Sequence, residues 1–363
     1  MVDPNISDWL RSQQQSARKH RIKVIILGVI SLVAIIGCIV FFTKISNKSS
    51  NSGNNSSGTN YFTWDNKPVN LTIIPNVAYK KVFYGINYGP VNASYPWCTN
   101  TLGDVIEDVK MISQLTNRIR LYGMDCNVAH YTMEAIIKLK LNMTIVPTIW
   151  IDDNDTTYQR QYDLLFHLVK KYGVDKIDGI SVGNEVIFRQ NIPIQTLYNR
   201  ISDVRTKINS MDFNKIMPVF TSDIGSNVDK AFVAAVDTVW ANVHPFFAGV
   251  NVNISASWTF DFFDEFVVTP AKAAGKDSLI SEVGWPTASN PINSSVPSVL
   301  NLQTFLDTFI CSSNSKGVKY YFFETFDIPW KTAKFDVLEG SWGVFHPNRS
   351  IKYPIILPDC VLK

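Results

Sequence analysis

The chain has 363 residues, of which 46% are hydrophobic, 12% aromatic and 18% charged. This composition excludes disordered and collagen-like proteins and indicates a folded protein with a large core. Seven of the 34 lysines and arginines, but two of the 31 acidic residues, lie in the first 48 positions, so the rest of the chain is close to neutral. A nearly neutral body does not attract DNA or RNA, whose binding relies on many phosphate contacts, and it fits a neutral ligand better.

An apolar run of 19 residues at 24–42 is long enough to cross a bilayer as a helix. Five basic residues precede it closely and two follow it, so the charge bias places the amino terminus in the cytoplasm. A cleaved signal peptide is the alternative, but the run exceeds the usual signal core of about 7 to 15 residues and lacks a small-residue exit. We therefore predict a cytoplasmic tail at 1–23, a retained transmembrane signal anchor at 24–42 and an extracellular body.

The segment 43–80 is predicted to be a flexible stalk and lead-in, because its first part is nearly all Ser, Asn, Gly and Thr and cannot bury apolar surface. Ten Asn-x-Ser/Thr sequons follow the apolar run, which suits a secretory route and N-glycosylation at some of them. Chance occurrence in an Asn-rich chain is the alternative. The sequons begin at Asn47, Asn54, Asn55, Asn70, Asn92, Asn142, Asn154, Asn253, Asn293 and Asn348.

Four cysteines lie in this extracellular part, where disulfides are permitted, and the fifth, Cys38, lies in the apolar run. Their spacing contains no C-x-x-C pair of the metal-binding type, so we predict structural bridges and no metal site. Three pairings are possible, and four buried free thiols are the alternative. Our preferred pairing joins Cys98 to Cys126 and Cys311 to Cys360.

From residue 82 onward, short apolar stretches alternate with amphipathic helical stretches, which is the pattern of βα units on a parallel sheet. Eight such units favour a (β/α)8 TIM barrel at 81–363 over an open sheet. The predicted strands are 82–89, 118–123, 144–151, 177–184, 216–222, 239–245, 278–283 and 320–326. The helical period is clearest at Leu102, Val105, Ile106, Val109 and Ile112, and at Leu164, Leu165, Leu168 and Val169.

No glycine-rich phosphate loop follows any predicted strand. Neither G-x-G-x-x-G nor the Walker pattern is present to seat a phosphate on a helix amino terminus. We therefore predict no nucleotide and no cofactor.

Two glutamates stand at the carboxyl ends of predicted strands, where the reactive groups of such barrels lie. The fourth strand ends in Gly183-Asn184-Glu185, and the seventh contains Glu282 shortly before the bulky Trp285. Two carboxyls on separate rigid strands are what glycoside cleavage needs, one to protonate the leaving oxygen and one for the anomeric carbon. The alternative is a pair of surface glutamates, but the neighbouring amide and indole favour catalysis.

Six sequence blocks, in order, resemble the family 17 glycoside hydrolases, specifically fungal cell-wall endo-β-1,3-glucanases and β-1,3-glucanosyltransferases. Together they cover most of the chain from about residue 83 to 330. The last block departs from the fungal pattern at Thr325 and Ile328, which affects local contacts rather than the reaction. The blocks are YGINYGP at 84–90, IRLYGMDCN at 119–127, VGNEV at 182–186, NVHPFF at 242–247, SEVGWP at 281–286 and FETFDIPW at 323–330.

This resemblance implies a retaining mechanism in which Glu185 is the general acid/base and Glu282 the nucleophile, with carboxyl groups about 5 to 5.5 Å apart. Glu185 should have a raised pKa, and hydrogen-bond donors should keep Glu282 ionised. Arg120 is a candidate donor, and a salt-bridged arginine at the barrel bottom is the alternative. Asn184 is a candidate ligand of the sugar 2-hydroxyl.

Further residues match the family blocks or fall near strand ends, where flat rings can stack on sugars. Ordinary barrel packing is the alternative for the aromatic residues, and a structural role bonded to the backbone is the alternative for His244. The candidate substrate contacts are Tyr88, Tyr122, Trp150, His244, Phe247, Trp285, Glu324 and Trp330.

The leading hypothesis is a monomeric, membrane-anchored enzyme that acts on β-1,3-glucan at the outer face of the plasma membrane. The sequence leaves open whether water or a second glucan accepts the sugar, because the same carboxylates serve hydrolysis and transfer. A glycosidase for another β-glucan linkage and a wall-binding protein without turnover are the further alternatives.

Overall fold

The computed structural model describes residues 69–360. The predicted cytoplasmic tail, the anchor at 24–42 and most of the stalk lie outside the described residues. Within them, nine short parallel strands form one sheet in the order β3-β2-β1-β9-β8-β7-β6-β5-β4. The strands are β1 (Gly85–Asn87), β2 (Arg118–Arg120), β3 (Thr144–Val146), β4 (Thr148–Ile149), β5 (Ile180–Asn184), β6 (Val219–Ile224), β7 (Val239–Asn242), β8 (Ser278–Val283) and β9 (Tyr320–Phe322).

The nine strands correspond to the eight predicted ones because Pro147 interrupts the third. Proline has no N–H to donate to the ladder, so the strand divides into β3 and β4 on either side of it. One half pairs with β2 and the other with β5, and the Pro147 carbonyl accepts the N–H of Ser181 at 3.0 Å. The sheet is therefore a nearly closed parallel barrel, consistent with the predicted (β/α)8 architecture.

Several strands are shorter than predicted. β6 begins at Val219, and Ile216, the first residue of the predicted strand, is 92% exposed. β1 ends at Asn87 and β9 at Phe322, although the apolar stretches continue beyond them. Apolar content alone cannot separate a strand from the buried loop that follows it. These buried loops build the carboxyl end of the barrel.

The helices bury the faces that their periodicity predicts, with Leu102, Val109, Leu165 and Val169 fully or almost fully buried; Leu164 is the exception and is partly exposed. A Thr101 and Asp104 capping box begins the first helix. The helices are α1 (Leu102–Ile112), α2 (Val128–Lys138), α3 (Asp155–Tyr172), α4 (Val186–Arg189), α5 (Ile194–Asn209), α6 (Lys230–Ala235), α7 (Val252–Phe263), α8 (Thr269–Ala273), α9 (Val299–Lys316) and α10 (Pro329–Lys334), with a π-helical turn at Asp264–Val268.

Stacked aromatic rings close the amino-terminal end of the barrel. Trp240 stacks on Phe220 and Tyr321 with ring centroids 4.0 and 5.4 Å apart. Gly85 admits this packing, because a Cβ there would lie 2.5 Å from the Tyr321 ring. A depression of about 640 Å³ lies at this end and is lined by residues that precede or begin the strands. Opposite charges pair along its wall, as in Arg118–Asp178 at 3.7 Å and Lys319–Asp277 at 3.6 Å.

Both preferred disulfides are present, Cys98–Cys126 and Cys311–Cys360, with Cα atoms 4.8 and 5.5 Å apart. The first joins the loop after β1 to a 3₁₀ turn after β2 (Asp125–Asn127). The second joins α9 to the carboxyl-terminal segment. The first bridge therefore stabilises loops at the carboxyl end of the barrel, where the two predicted catalytic strands also end.

No helix within residues 69–360 is long and apolar enough to cross a bilayer. The seven sequons of this range all begin at exposed asparagines. Their glycosylation remains a prediction.

Candidate active site

Glu185 lies in a sharp turn at the carboxyl end of β5. The backbone has positive φ at Gly183 (84°) and at Glu185 (53°), a conformation that is uncommon for residues with a side chain. A Cβ on Gly183 would lie 2.5 Å from the side chain of Val186, so the position requires glycine. The buried Asp223 of β6 stabilises the turn by accepting the backbone N–H of Ile187 at 2.9 Å. The strand therefore ends at Asn184, and the turn begins with the residue that carries the carboxylate.

Glu282 lies within β8, where its side chain is buried against two donors. Its Oε1 accepts a hydrogen bond from Arg120 Nη1 at 3.1 Å, and its Oε2 lies 3.2 Å from His244 Nε2. Arg120 comes from β2 and is completely buried. The predicted contact between Arg120 and Glu282 is present, and the alternative of an arginine at the barrel bottom is excluded.

Two asparagines connect the glutamates. Asn242, the β7 residue in register with Glu282, donates its Nδ2 to Glu185 Oε1 at 2.8 Å and to Asn184 Oδ1 at 3.3 Å. The same Asn184 oxygen accepts from Arg120 Nη2 at 2.8 Å. A continuous chain of hydrogen bonds thus runs from one carboxylate to the other. This network places both glutamates in one site, and their predicted separation of about 5 to 5.5 Å stays a prediction.

The two carboxyl groups have pKa values that shift in opposite directions. Burial raises the pKa of Glu185, and the negative charge of Glu282 raises it further. Burial would also raise the pKa of Glu282, but the hydrogen bond with His244 and the charge of Arg120 outweigh burial and lower that pKa to about 2. The pKa of Glu185 is therefore raised while that of Glu282 is lowered, which is the direction of difference that an acid and a nucleophile require.

The model of the BtgE/BtgC glycoside hydrolase domain matches residues 85–343, which include both glutamates and the network between them. The chain belongs to this family of glycoside hydrolases. The predicted resemblance to fungal family 17 enzymes is confirmed by the relatives that follow.

A probable glucan endo-1,3-beta-glucosidase, btgC, of Aspergillus terreus is 36% identical over 312 residues, which are 80% of this chain and 47% of that protein. The chain therefore spans about half the length of this relative. The crystal structure of a family 17 beta-1,3-glucanosyltransferase from Rhizomucor miehei aligns with a TM-score of 0.67 and 30% identity over 77% of this chain and all of that chain. An active-site mutant of the Rhizomucor enzyme in complex with laminaritriose aligns with the same TM-score and coverage at 29% identity.

Four of the predicted aromatic contacts in this glycoside hydrolase domain are partly exposed: Tyr122, Trp150, Phe247 and Trp330. Tyr122 lies beneath the guanidinium of Arg120, at 4.7 Å from the ring centroid. Phe247 packs edge-on against His244, with centroids 5.8 Å apart. These rings remain candidates for sugar contacts.

Two other aromatic predictions are corrected, because Tyr88 and Trp285 have no exposed surface. The hydroxyl of Tyr88 donates to Asp108 at 2.7 Å, and this carboxylate is also bound by Arg349. The indole of Trp285 donates to the Val296 carbonyl at 3.0 Å. Both side chains are part of the core and cannot stack on a sugar in this conformation.

Glu324 also differs from its prediction as a direct sugar contact. Its side chain is 1% exposed, and both carboxylate oxygens accept from Lys331 Nζ, at 2.9 and 3.0 Å. Burial raises the pKa of Glu324 to about 7, although the charge of Lys331 opposes this shift. Its visible role is to hold Lys331 near the two catalytic candidates.

The sequence prediction missed several residues of the site. Asn242 and Lys331 lie in or directly beside the quoted blocks, yet no role was assigned to them. Glu339 and Trp342 follow α10 and lie outside the six sequence blocks, and Trp342 packs on His244 at 4.9 Å between centroids. Burial raises the pKa of Glu339, and the charges of both Glu185 and Glu282 act in the same direction. For Asn242 and Lys331, the available signal was a polar side chain in or beside a largely apolar block.

Proposed function

We propose that the chain is a retaining endo-β-1,3-glucanase that works by double displacement, with Glu282 as the nucleophile and Glu185 as the general acid/base. The observation that carries this proposal is the hydrogen-bonded link between the buried Glu282 and the partly buried Glu185, whose pKa values shift in opposite directions. The substrate class is supported by the printed names of relatives, a glucan endo-1,3-beta-glucosidase and a β-1,3-glucanosyltransferase, and by the laminaritriose complex of the latter.

In the first step, Glu185 donates its proton to the glycosidic oxygen while Glu282 attacks the anomeric carbon. The aglycone leaves as an alcohol, and a glycosyl ester forms on Glu282. Esterification removes the negative charge of Glu282, which is one of the causes that raise the pKa of Glu185. The pKa of Glu185 therefore falls in the intermediate, so that the carboxylate becomes a base suited to activate the acceptor.

Asn184 is placed to contact the sugar 2-hydroxyl in this proposal. Its Oδ1 accepts from Arg120 and Asn242, so the amide orientation is fixed and the Nδ2 hydrogens remain for the substrate. Hydrogen bonds to this hydroxyl strengthen as positive charge develops on the ring in the transition state. Replacement of Asn184 should therefore lower kcat more than it raises KM.

The second step takes water in hydrolysis or a sugar hydroxyl in transfer. The name of the Rhizomucor relative favours transfer as the second candidate function. Incubation of the purified protein with laminarihexaose, followed by product analysis, distinguishes the two. Products longer than the substrate indicate transfer, and exclusively shorter products indicate hydrolysis.

The same assay tests catalysis against simple binding. The wild-type protein should cleave laminarin, and Glu282→Gln should be inactive while it still binds the glucan. Equal, negligible cleavage by both proteins would instead support a wall-binding protein. A panel of β-1,3, β-1,6 and mixed-linkage glucans tests the linkage.

We also propose that the run at 24–42 anchors a monomeric enzyme in the plasma membrane, with the glycoside hydrolase domain outside. The proposal is supported by the length of the run, the charge bias around it and the exposure of the seven described sequons. In intact cells, external protease should remove the domain and leave an amino-terminal tag protected. A protected domain, or a released protein without the tag, would contradict it.

A further inference from the structure

The loop between β1 and α1 presents two aromatic side chains to solvent at the carboxyl end of the barrel. Trp97 is 76% exposed and Tyr95 is 51% exposed. Among tryptophans of the described residues, Trp97 is the one that is mostly exposed. Large aromatic rings that are this accessible commonly belong to interaction surfaces. The loop lies at the same end of the sheet as Glu185 and Glu282, because all the strands are parallel.

Covalent and polar contacts fix this loop. The Cys98–Cys126 disulfide ties it to the turn after β2, and Asn100 donates to the Cys126 carbonyl at 2.9 Å. A loop backbone held by such contacts loses little conformational entropy when it binds a ligand. The exposed tryptophan therefore stands on a preorganised loop, directly before a bridged cysteine.

A cation holds the neighbouring ring. The Arg160 guanidinium lies over Tyr95, at 4.2 Å from the ring centroid. The same guanidinium donates to both carboxylate oxygens of Asp125, at 2.7 and 2.9 Å. Loop β1–α1, the turn after β2 and helix α3 are thus joined into one rim.

The rim is connected to the catalytic glutamates. Gln161, the residue after Arg160, accepts the backbone N–H of Met124 at 2.6 Å and that of Trp150 at 3.3 Å. The Trp150 ring in turn lies beneath Arg189, at 4.4 Å, four residues after Glu185. Contacts through Trp150, Gln161 and Arg160 therefore join the segment after Glu185 to the exposed loop.

We propose that Trp97 and Tyr95 form an outer subsite for the glucan chain, in which the Trp97 ring stacks on a pyranose several units from the bond that is cleaved. The proposal rests on the proposed function and adds a residue that selects long chains. The apolar C–H face of a β-glucosyl unit matches a flat, exposed indole, and a neutral sugar needs no charge partner there. The subsite makes no contact with the reacting atoms, so it contributes binding energy only when the chain is long enough to reach it.

The experiment measures kcat/KM for laminari-oligosaccharides of three to eight units with wild type, Trp97→Ala and Trp97→Phe. Trp97→Ala should lower kcat/KM about 5- to 10-fold for the long oligosaccharides and less than twofold for the shortest, as expected from the loss of one aromatic stacking contact. Trp97→Phe should recover most of the activity. Ile216→Ala is the matched control, because Ile216 is 92% exposed at the opposite end of the barrel, and it should change neither value.

Equal loss on all chain lengths, or no loss on any, overturns the outer subsite. Either result leaves the proposed function intact if wild type cleaves the glucan. Absence of cleavage by wild type contradicts the proposed function. In that case, the affinity of the Glu282→Gln protein for laminarihexaose still tests the loop. Adding Trp97→Ala to this variant should lower the affinity about 5- to 10-fold. An unchanged affinity overturns the subsite.

Discussion

The carboxyl ends of β5 and β8 each carry a glutamate, but the surroundings of the two glutamates shift their pKa values in opposite directions. Each strand brings one glutamate to the carboxyl end of the barrel, and desolvation by itself acts to raise the pKa of both. Glu282, within β8, receives a guanidinium and an imidazole, whereas Glu185, in a left-handed turn, receives an asparagine amide and faces the charge of Glu282. The comparison teaches that neighbours from other strands set the opposite directions of the two pKa shifts.

Replacement of Glu282 by Gln removes one side of the comparison and should have the largest effect. Without a nucleophile no glycosyl ester forms, so kcat on laminarin should fall by about 10⁴-fold or more. The loss of its charge should also lower the pKa of Glu185, which NMR titration of the carboxyl carbon measures. A variant within tenfold of wild-type kcat would contradict the role of Glu282.

Replacement of Glu185 by Gln tests the other side. Loss of general acid catalysis should lower kcat by about 10² to 10⁴-fold on glucan, because the leaving sugar alkoxide needs a proton. The comparison substrate is a dinitrophenyl β-glycoside of a laminari-oligosaccharide. Its dinitrophenolate leaving group departs without a proton, so the formation of the glycosyl ester should be much less affected. If both substrates lost activity equally, Glu185 would not be the acid. Glu282→Gln is the matched comparison, since it should impair both substrates.

Replacement of Arg120 by Met should reduce the difference between the pKa values of Glu185 and Glu282 without removing either carboxylate. Glu282 must be ionised for attack, and its pKa of about 2 makes wild-type kcat/KM fall only as the pH falls through that value. Without the guanidinium, His244 alone opposes burial and the pKa of Glu282 rises, so the acidic limb should move up by about 1 to 3 pH units and kcat/KM at about pH 4 should fall. A pH profile of kcat/KM on laminarihexaose measures both.

The control for this variant is Arg205→Met. Arg205 pairs with Asp237 at 2.8 Å, and Asp237 lies at the amino-terminal end, directly before β7. Its loss should leave the acidic limb in place. An acidic limb that does not move in Arg120→Met would show that His244 alone keeps Glu282 ionised.

The sequence predicts that the two glutamates lie at the carboxyl end of the barrel, because this place depends on a local pattern: each glutamate stands at or near the end of an apolar stretch. It also predicts the barrel, since eight strand patterns were readable even where Pro147 divides one of them. Register and strand length were less accessible, as the exposed Ile216 shows. These depend on which strands pair, which a single stretch of sequence does not contain.

The wrong aromatic predictions have the same origin. Tyr88 follows a strand end as a site residue would, but its hydroxyl binds Asp108, which Arg349 also binds from 241 positions away. Trp285 packs on Phe246 and Phe305, which come from different elements. Proximity to a strand end therefore predicts a place in the barrel, and the direction of the side chain follows from partners that are distant in sequence.

Replacement of Asp223 by Asn should have the smallest effect and tests the turn that holds Glu185. Burial raises the pKa of Asp223 to about 7, even though Asn227 and backbone N–H groups bind the carboxylate. The charge of Glu185 is one cause that raises the pKa of Asp223. Because Coulomb repulsion is mutual, an ionised Asp223 in turn opposes the ionisation of Glu185. Asn keeps an acceptor for the Ile187 N–H but carries no charge, so the alkaline limb of the kcat/KM profile should move to lower pH.

The expected displacement of the alkaline limb is below about one pH unit, with kcat at the optimum within about fivefold of wild type, because the amide oxygen still accepts N–H groups of the turn, although it offers one acceptor oxygen where the carboxylate has two. Asp237→Asn at the other end of the barrel removes an equal charge and should leave the limb unchanged. A loss beyond 100-fold in Asp223→Asn would mean that the charge-assisted bond itself maintains the left-handed turn. The geometry of β5, rather than the neighbouring charges, would then be the main difference between the two glutamates.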